Sequence, residues 1–480
     1  MAATLDTTHF PGNVINNEFV PTVTTRHSID PSTGEPLWEV PVATKDDLDN
    51  AVKYAREAFK TWSTTTFQQR AEMLLRYADA IEANREPLEK LHTMEQGKPL
   101  SLSKTEFDLT LTWLRAFATM EIRDEVLEDT EERTIYATFP PLGVCAGIVP
   151  WNWPILLGLG KMGPALVTGN CFIMKPSPYT PYCDLKLGEL AMAMFPPGVV
   201  QVVSGDDELG PWMTEHPGID MIAFTGSIPT GKRVAASCAR TLKRCVLELG
   251  GNDACIVCDD VDLARCVPKI ATLSFLNTGQ ICMLPKRIYV HERIYDAFRD
   301  AMVQFTRENI RTGGGFEEGV VVGPVQNRMQ HLRRRPPHRP KNRPRRRRRL
   351  PQRLPHHPLH RRQPPDTSRI VTEEPFGPIV PLLKWRDEGE VLARANDSAT
   401  GLGASVWSRD VARAERMARR LSAGSVWVNS HFDVAPHVPF GGHKESGIGM
   451  EWGVMGLKSY TKPRSLWVWK KVFEDAPAST

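Results

Sequence analysis

GVCAGIVPWNWP (residues 143–154) is followed by GNCFIMKPSP (169–178), GVVQVVSG (198–205), IDMIAFTGS (219–227) and RCVLELGGNDACIVCDD (244–260). Each is a short apolar run bounded by Gly or Pro, the texture of strands buried on both faces of a parallel sheet. Stretches with helical spacing, such as 186–194, lie between them. Strands alternating with helices specify an α/β fold. Upstream the chain is helix-rich: residues 46–62 place Leu48, Val52, Ala55, Phe59 and Trp62 on one face behind acidic residues, and 67–82 and 106–120 are similar. Downstream, PIVPLLKW (378–385), DVARAERMARRL (410–421) and GSVWVNS (424–430) resume the α/β texture.

At 480 residues the chain is long enough for two or three compact units. The uncharged stretch 140–160 is broken by prolines and Asn152, so no membrane span is expected. The start MAATLDTTHF has no basic-then-apolar leader, and cytoplasm is the expected location. Nine cysteines, all between Cys145 and Cys282, do not form a secreted disulfide pattern, so reduced thiols are expected.

The net charge of +4 divides unevenly: residues 331–363 hold thirteen Arg, one Lys and no acid, so the rest of the chain carries −10. From Arg343 to Pro365 every residue is Arg, Pro, Leu, Gln or His, the amino acids whose codons can begin with cytosine. A cytosine-rich gene read one frame out gives this vocabulary, and residues 331–365 are read here as an out-of-frame segment. A nucleic-acid-binding arm is the alternative. The segment has no apolar period and is not expected to join a core.

Gly158, Gly160 and Gly163 match GxGxxG, but PWNWP intervenes and the next strand begins too soon for a dinucleotide fingerprint. A better phosphate site is the turn at Gly226 and Ser227, where apolar MIAF runs into a helix whose N-terminal amides would face an anion. Cys282, in NTGQICMLPKR, follows a Gly279-Gln280 turn, and the polar Asn277 and Thr278 suggest an exposed loop. A buried packing thiol is the commoner case, and a reactive one needs donors or positive charge nearby. Glu248 ends an apolar strand before two glycines, as either a structural carboxylate or a general base. Cys255 and Cys258 form a C-x-x-C without a second ligand pair, so no metal is expected.

The ordered motifs Pro150-Trp151-Asn152-Trp153-Pro154, Lys175-Pro176-Ser177, Phe224-Thr225-Gly226-Ser227, Glu248-Leu249-Gly250-Gly251, Gly279-Gln280-Ile281-Cys282, Glu374-Pro375-Phe376-Gly377-Pro378 and Pro439-Phe440-Gly441-Gly442 resemble the aldehyde dehydrogenase superfamily. The resemblance covers nearly the whole chain outside 331–365. It implies an aldehyde dehydrogenase-like fold: a Rossmann-like cofactor domain (1–122 and 139–250), an α/β catalytic domain (251–445) and a β-hairpin oligomerisation flap (123–138 with 460–470). It further implies NAD-dependent oxidation of an aldehyde to a carboxylic acid through a cysteine thiohemiacetal and thioester. Cys282 would be the nucleophile, Asn152 an oxyanion donor and Glu248 the base that activates water. Trp151, Lys175, Ser177, Gly226, Ser227, Glu374 and Phe376 would hold the cofactor. A small-molecule aldehyde and a homodimer or homotetramer are the implied partners; nucleic acid and membrane are not expected.

Pro178 stands where many NAD-preferring members carry a glutamate, so NADP stays open. Gly160 replaces a large tunnel-lining side chain, implying a wide substrate entrance. Damage at 331–365 leaves a catalytically impaired relative as the rival reading.

Overall fold

The computed structural model describes residues 5–327 and 359–470. The helix Lys45–Trp62 begins at a capping box, in which Thr44 accepts from the Asp47 backbone and Asp47 answers the Thr44 N–H. Its buried face, Leu48, Ala51, Val52, Ala55 and Trp62, is the one the spacing predicts. Helices Phe67–Ala83 and Leu100–Phe117 form where periodicity places them, the latter starting six residues earlier than expected because Pro99 can precede a helix but not continue one.

These helices cover an eight-stranded sheet ordered Glu18–Val20, Asn13–Ile15, Val200–Val202, Cys171–Lys175, Val144–Ile148, Met221–Thr225, Arg244–Glu248 and Gly447–Ile448. Its inner strands run parallel, with Ile148 opposite Lys175, Phe224 opposite Ile148 and Thr225 opposite Glu248. That register brings Lys175, Thr225 and Glu248 to one carboxyl edge, where open α/β sheets bind ligands. Gly158, Gly160 and Gly163 lie inside the buried helix Pro154–Val167. Gly163 serves packing, since a Cβ there would sit 2.6 Å from Phe117 Cδ2.

A second, six-stranded parallel sheet is ordered Leu359–Arg362, Ile379–Trp385, Pro285–His291, Asp253–Val257, Gly403–Trp407 and Ser425–Val428. Helices Leu263–Phe275 and Tyr295–Asn309 pack on one face through Ile270, Phe275, Phe298 and Met302, and Glu388–Asn396 with Val411–Ala418 on the other through Val391, Leu392, Ala414 and Met417. Cys255 and Cys258 are buried here, with thiols pushed up to about 12 by desolvation.

Most of the basic segment lies outside the described residues. Its end differs from expectation: the backbone of Leu359–Arg362 joins this sheet at the edge, parallel to Ile379–Trp385. Backbone hydrogen bonding requires no apolar period, which is why composition did not reveal it.

A third sheet, antiparallel, joins Glu125–Asp129, Arg133–Thr138 and the C-terminal Arg464–Trp469. It projects Val126, Leu127, Trp467 (52% exposed) and Trp469 (59% exposed) outward, and Arg133 stacks over both Trp rings. Among the described residues no helix is long and apolar enough to cross a membrane.

Candidate active site

Between the helix Leu263–Phe275 and the strand Pro285–His291 the chain makes a 3₁₀ turn, Leu276–Gly279, in which Asn277 and Thr278 adopt φ of 47° and 61°. Such angles cost non-glycine residues energy and persist only where surroundings hold them. Asn277 Nδ2 donates to the Asn152 carbonyl at 3.2 Å, and Thr278 Oγ1 to the Gly323 carbonyl at 2.9 Å. Both residues are buried, so the exposed loop expected from their polarity is not present. Their polar atoms hold the loop instead of meeting water. Cys282 follows, half-buried, with its thiol pushed up to about 12, chiefly by desolvation, with Lys286 acting in the opposite direction.

Cys282 lines a cavity of about 120 Å³ together with Trp151, Asn152, Gly226, Ser227, Glu374 and Phe376. Asn152 is buried; its Nδ2 donates to the Gln280 carbonyl at 2.9 Å, and its own carbonyl accepts from Lys98 Nζ at 3.0 Å. An amide nitrogen carries two donors, so one hydrogen is anchored and the other is available. Trp151 meets Phe376 edge-on, ring centres 5.6 Å apart. Ser227 caps the helix Ile228–Ala239 by accepting from Thr230 N at 3.4 Å. Gly226 fits beside it because a Cβ would lie 2.5 Å from Phe224 Cζ. The helix start thus turns toward the cavity, with the positive end of its dipole.

Glu248 lies beside the cavity at its strand end, 2% exposed, and neither carboxylate oxygen has a hydrogen-bond partner. Desolvation, and then the charge of Glu451, push its carboxyl well above the ordinary range, while Lys161 opposes them. Its charge is in turn felt at Cys282. Lys161 is fully buried and donates to Glu451 Oε1 at 2.6 Å and Thr225 Oγ1 at 2.7 Å. No local signal marks this pair, because its members are 290 residues apart and each is an ordinary charged residue in its own stretch of chain.

Lys175 and Ser177 do not line the cavity; they occupy the end of the adjacent strand and the turn after it. Lys175 is buried, its ammonium lowered to about 8 by desolvation, with a single long bond of 3.4 Å to the Pro176 carbonyl. Ser177 Oγ accepts from Tyr179 N at 3.3 Å. Glu374 Oε1 accepts from Gly251 N at 3.3 Å and from Lys286, a site residue that sequence reading missed.

Gly160 does not open a wide entrance. Trp452 Nε1 would be 3.1 Å from a Cβ there, and the indole, stacked 4.9 Å from Phe440 and edge-on 5.3 Å from Trp113, fills the space.

Comparison with known proteins gives a consistent result. The model of a family described as the aldehyde dehydrogenase family matches residues 19–335 and 347–466, with its break inside the basic segment. Aldehyde dehydrogenase LUC3 of a Fusarium species is 37% identical over 450 residues, covering 92% of this chain and 95% of that one. An NAD+ complex of a Bacillus cereus aldehyde dehydrogenase superposes with a TM-score of 0.90 at 32% identity, over 96% of this chain and 97% of the other. An Escherichia coli NADP-dependent enzyme does so with a TM-score of 0.90 at 29% identity, over 96% and 98%.

Proposed function

The chain belongs to the aldehyde dehydrogenase family, and we propose that it oxidises a small or medium aldehyde to the carboxylic acid with NAD, or NADP, as acceptor. One observation carries the reading: Cys282 and Asn152, on loops from the two large sheets, line one cavity, and Glu248 ends its strand directly before the lining residues Leu249 and Gly250 with neither carboxylate oxygen partnered. Cys282, once deprotonated, attacks the aldehyde carbon. The resulting thiohemiacetal oxyanion accepts from the free Asn152 Nδ2 hydrogen and the Cys282 backbone N–H. Collapse of the oxyanion to a carbonyl expels hydride from that carbon, for which NAD, when bound, would supply the acceptor, and leaves a thioester on Cys282. Glu248 then takes a proton from water, whose oxygen attacks the thioester carbon as the Cys282 sulfur leaves. A carboxylate lifted above its ordinary range by burial is the stronger base for that step.

The residues present fit the cofactor. Lys175 is a buried ammonium with donors to spare, as a ribose site requires, and the helix start at Gly226 and Ser227 suits a pyrophosphate. Trp151, Phe376 and Glu374 would flank the nicotinamide end. Without a carboxylate at Pro178, nothing at that position repels the extra phosphate of NADP.

We assign the cofactor domain to 1–122 and 139–250 and the catalytic domain to 251–445. The exposed apolar strand of the third sheet would pair copies of this chain into a homodimer or homotetramer. Nine free thiols fit a reducing, cytoplasmic setting. The test is NADH formation by purified protein given aldehyde and NAD; a folded protein inactive with both NAD and NADP would refute the proposal.

A further inference from the structure

Lys286 follows Cys282 by four positions and, in the sequence LPKR, reads as an ordinary surface cation. The structure instead buries it at 3% exposure, second in the strand Pro285–His291. An ammonium has three donors, and all three are used: the Cys282 carbonyl at 3.2 Å, the Gly251 carbonyl at 3.3 Å and Glu374 Oε1. Its Nζ also lies 5.1 Å over the Phe376 ring. These acceptors belong to three separate segments: the nucleophile loop, the turn after the Glu248 strand, and the segment carrying Glu374 and Phe376. A charge taken out of water is retained only where such partners replace its hydration.

We propose that Lys286 is a positioning residue for the chemistry assigned above, a buried cation that fastens the nucleophile loop to the Glu374 segment and sets the electric field at the Cys282 sulfur. The inference rests on Cys282 being the nucleophile. The charged groups facing that sulfur are Lys286, which favours the thiolate, and Glu374, Asp253 and Glu248, which oppose it together with desolvation. Loss of Lys286 removes the positive charge that offsets these three carboxylates at the thiol. The same loss frees the Glu374 carboxylate and the Cys282 carbonyl from a shared anchor, so geometry and ionisation deteriorate together.

The test is the pH dependence of Cys282 alkylation by iodoacetamide, followed by peptide mass spectrometry on the full chain without cofactor, in wild type, Lys286→Met, Lys286→Gln and Lys286→Arg. Lys286→Met and Lys286→Gln are expected to move alkylation to higher pH, slowing it near neutrality by about tenfold, the effect of losing one close opposite charge. They should lower kcat more than they raise KM for the aldehyde, and Lys286→Arg should restore much of both. Lys286→Gln keeps donors for the two carbonyls, so it decides the matter if Lys286→Met does not fold. An unshifted alkylation profile in the folded variant overturns the inference. The alkylation readout does not depend on turnover, so failure of the aldehyde reading, seen as activity surviving Cys282→Ala, is distinguishable from failure of the Lys286 role.

Discussion

Asn152 donates to the Gln280 carbonyl at 2.9 Å across 128 positions of chain, tying the loop after a strand of the first sheet to the nucleophile loop of the second. The remaining amide hydrogen is thereby held in one direction instead of rotating freely. Asn152→Ala removes both the anchor and the oxyanion donor. kcat with aldehyde should fall by about 10²–10³-fold, the usual cost of one such donor, while cofactor affinity changes little. Steady-state kinetics and cofactor titration check this.

Glu248 works as a base only when deprotonated, so hydrolysis should rise with pH through its elevated ionisation. Glu451→Gln removes the neighbouring negative charge that helps hold that ionisation up and leaves the Lys161 ammonium without its carboxylate partner. Both changes favour the Glu248 carboxylate. The acid limb of the kcat profile is therefore expected to move to lower pH in Glu451→Gln; a limb that stays in place or moves up would disconnect Glu451 from the base.

Trp452 occupies the space beside Gly160. Gly160→Val should overpack that site and cost about 1–3 kcal/mol, and adding Trp452→Leu should recover part of it. Thermal melts of the single and double variants measure the coupling.

Trp467 and Trp469 stand on a strand whose six residues are all exposed in the single chain. Trp467→Glu combined with Trp469→Glu is expected to shift the sedimenting species toward monomer while leaving the circular dichroism spectrum unchanged.

Much of this was legible from sequence because the features are local. Short apolar runs between Gly and Pro mark the strands ending at Ile148, Lys175, Thr225 and Glu248, and the parallel register carries their ends to one edge. The turn at Gly226 and Ser227 caps a helix as its composition implied. What was hidden is the partnering of charges distant in sequence. Lys161, Glu451 and Lys286 read locally as ordinary charged residues and become buried only through tertiary contact, Lys161 with Glu451 and Lys286 with the half-buried Glu374. Asn277 and Thr278 misled for the same reason: polarity predicted exposure, but their side chains satisfy backbone carbonyls inside the fold. Gly160 implied a gap that Trp452, nearly three hundred positions later, fills.

The decisive measurement is on Cys282→Ala, purified and shown to be folded, with NAD binding and NADH formation followed on the same sample. The thiol makes the covalent bond in this account and plays no part in anchoring the cofactor. Binding should therefore persist at near wild-type affinity while aldehyde-dependent NADH formation disappears. Sustained turnover in that variant would contradict the covalent mechanism.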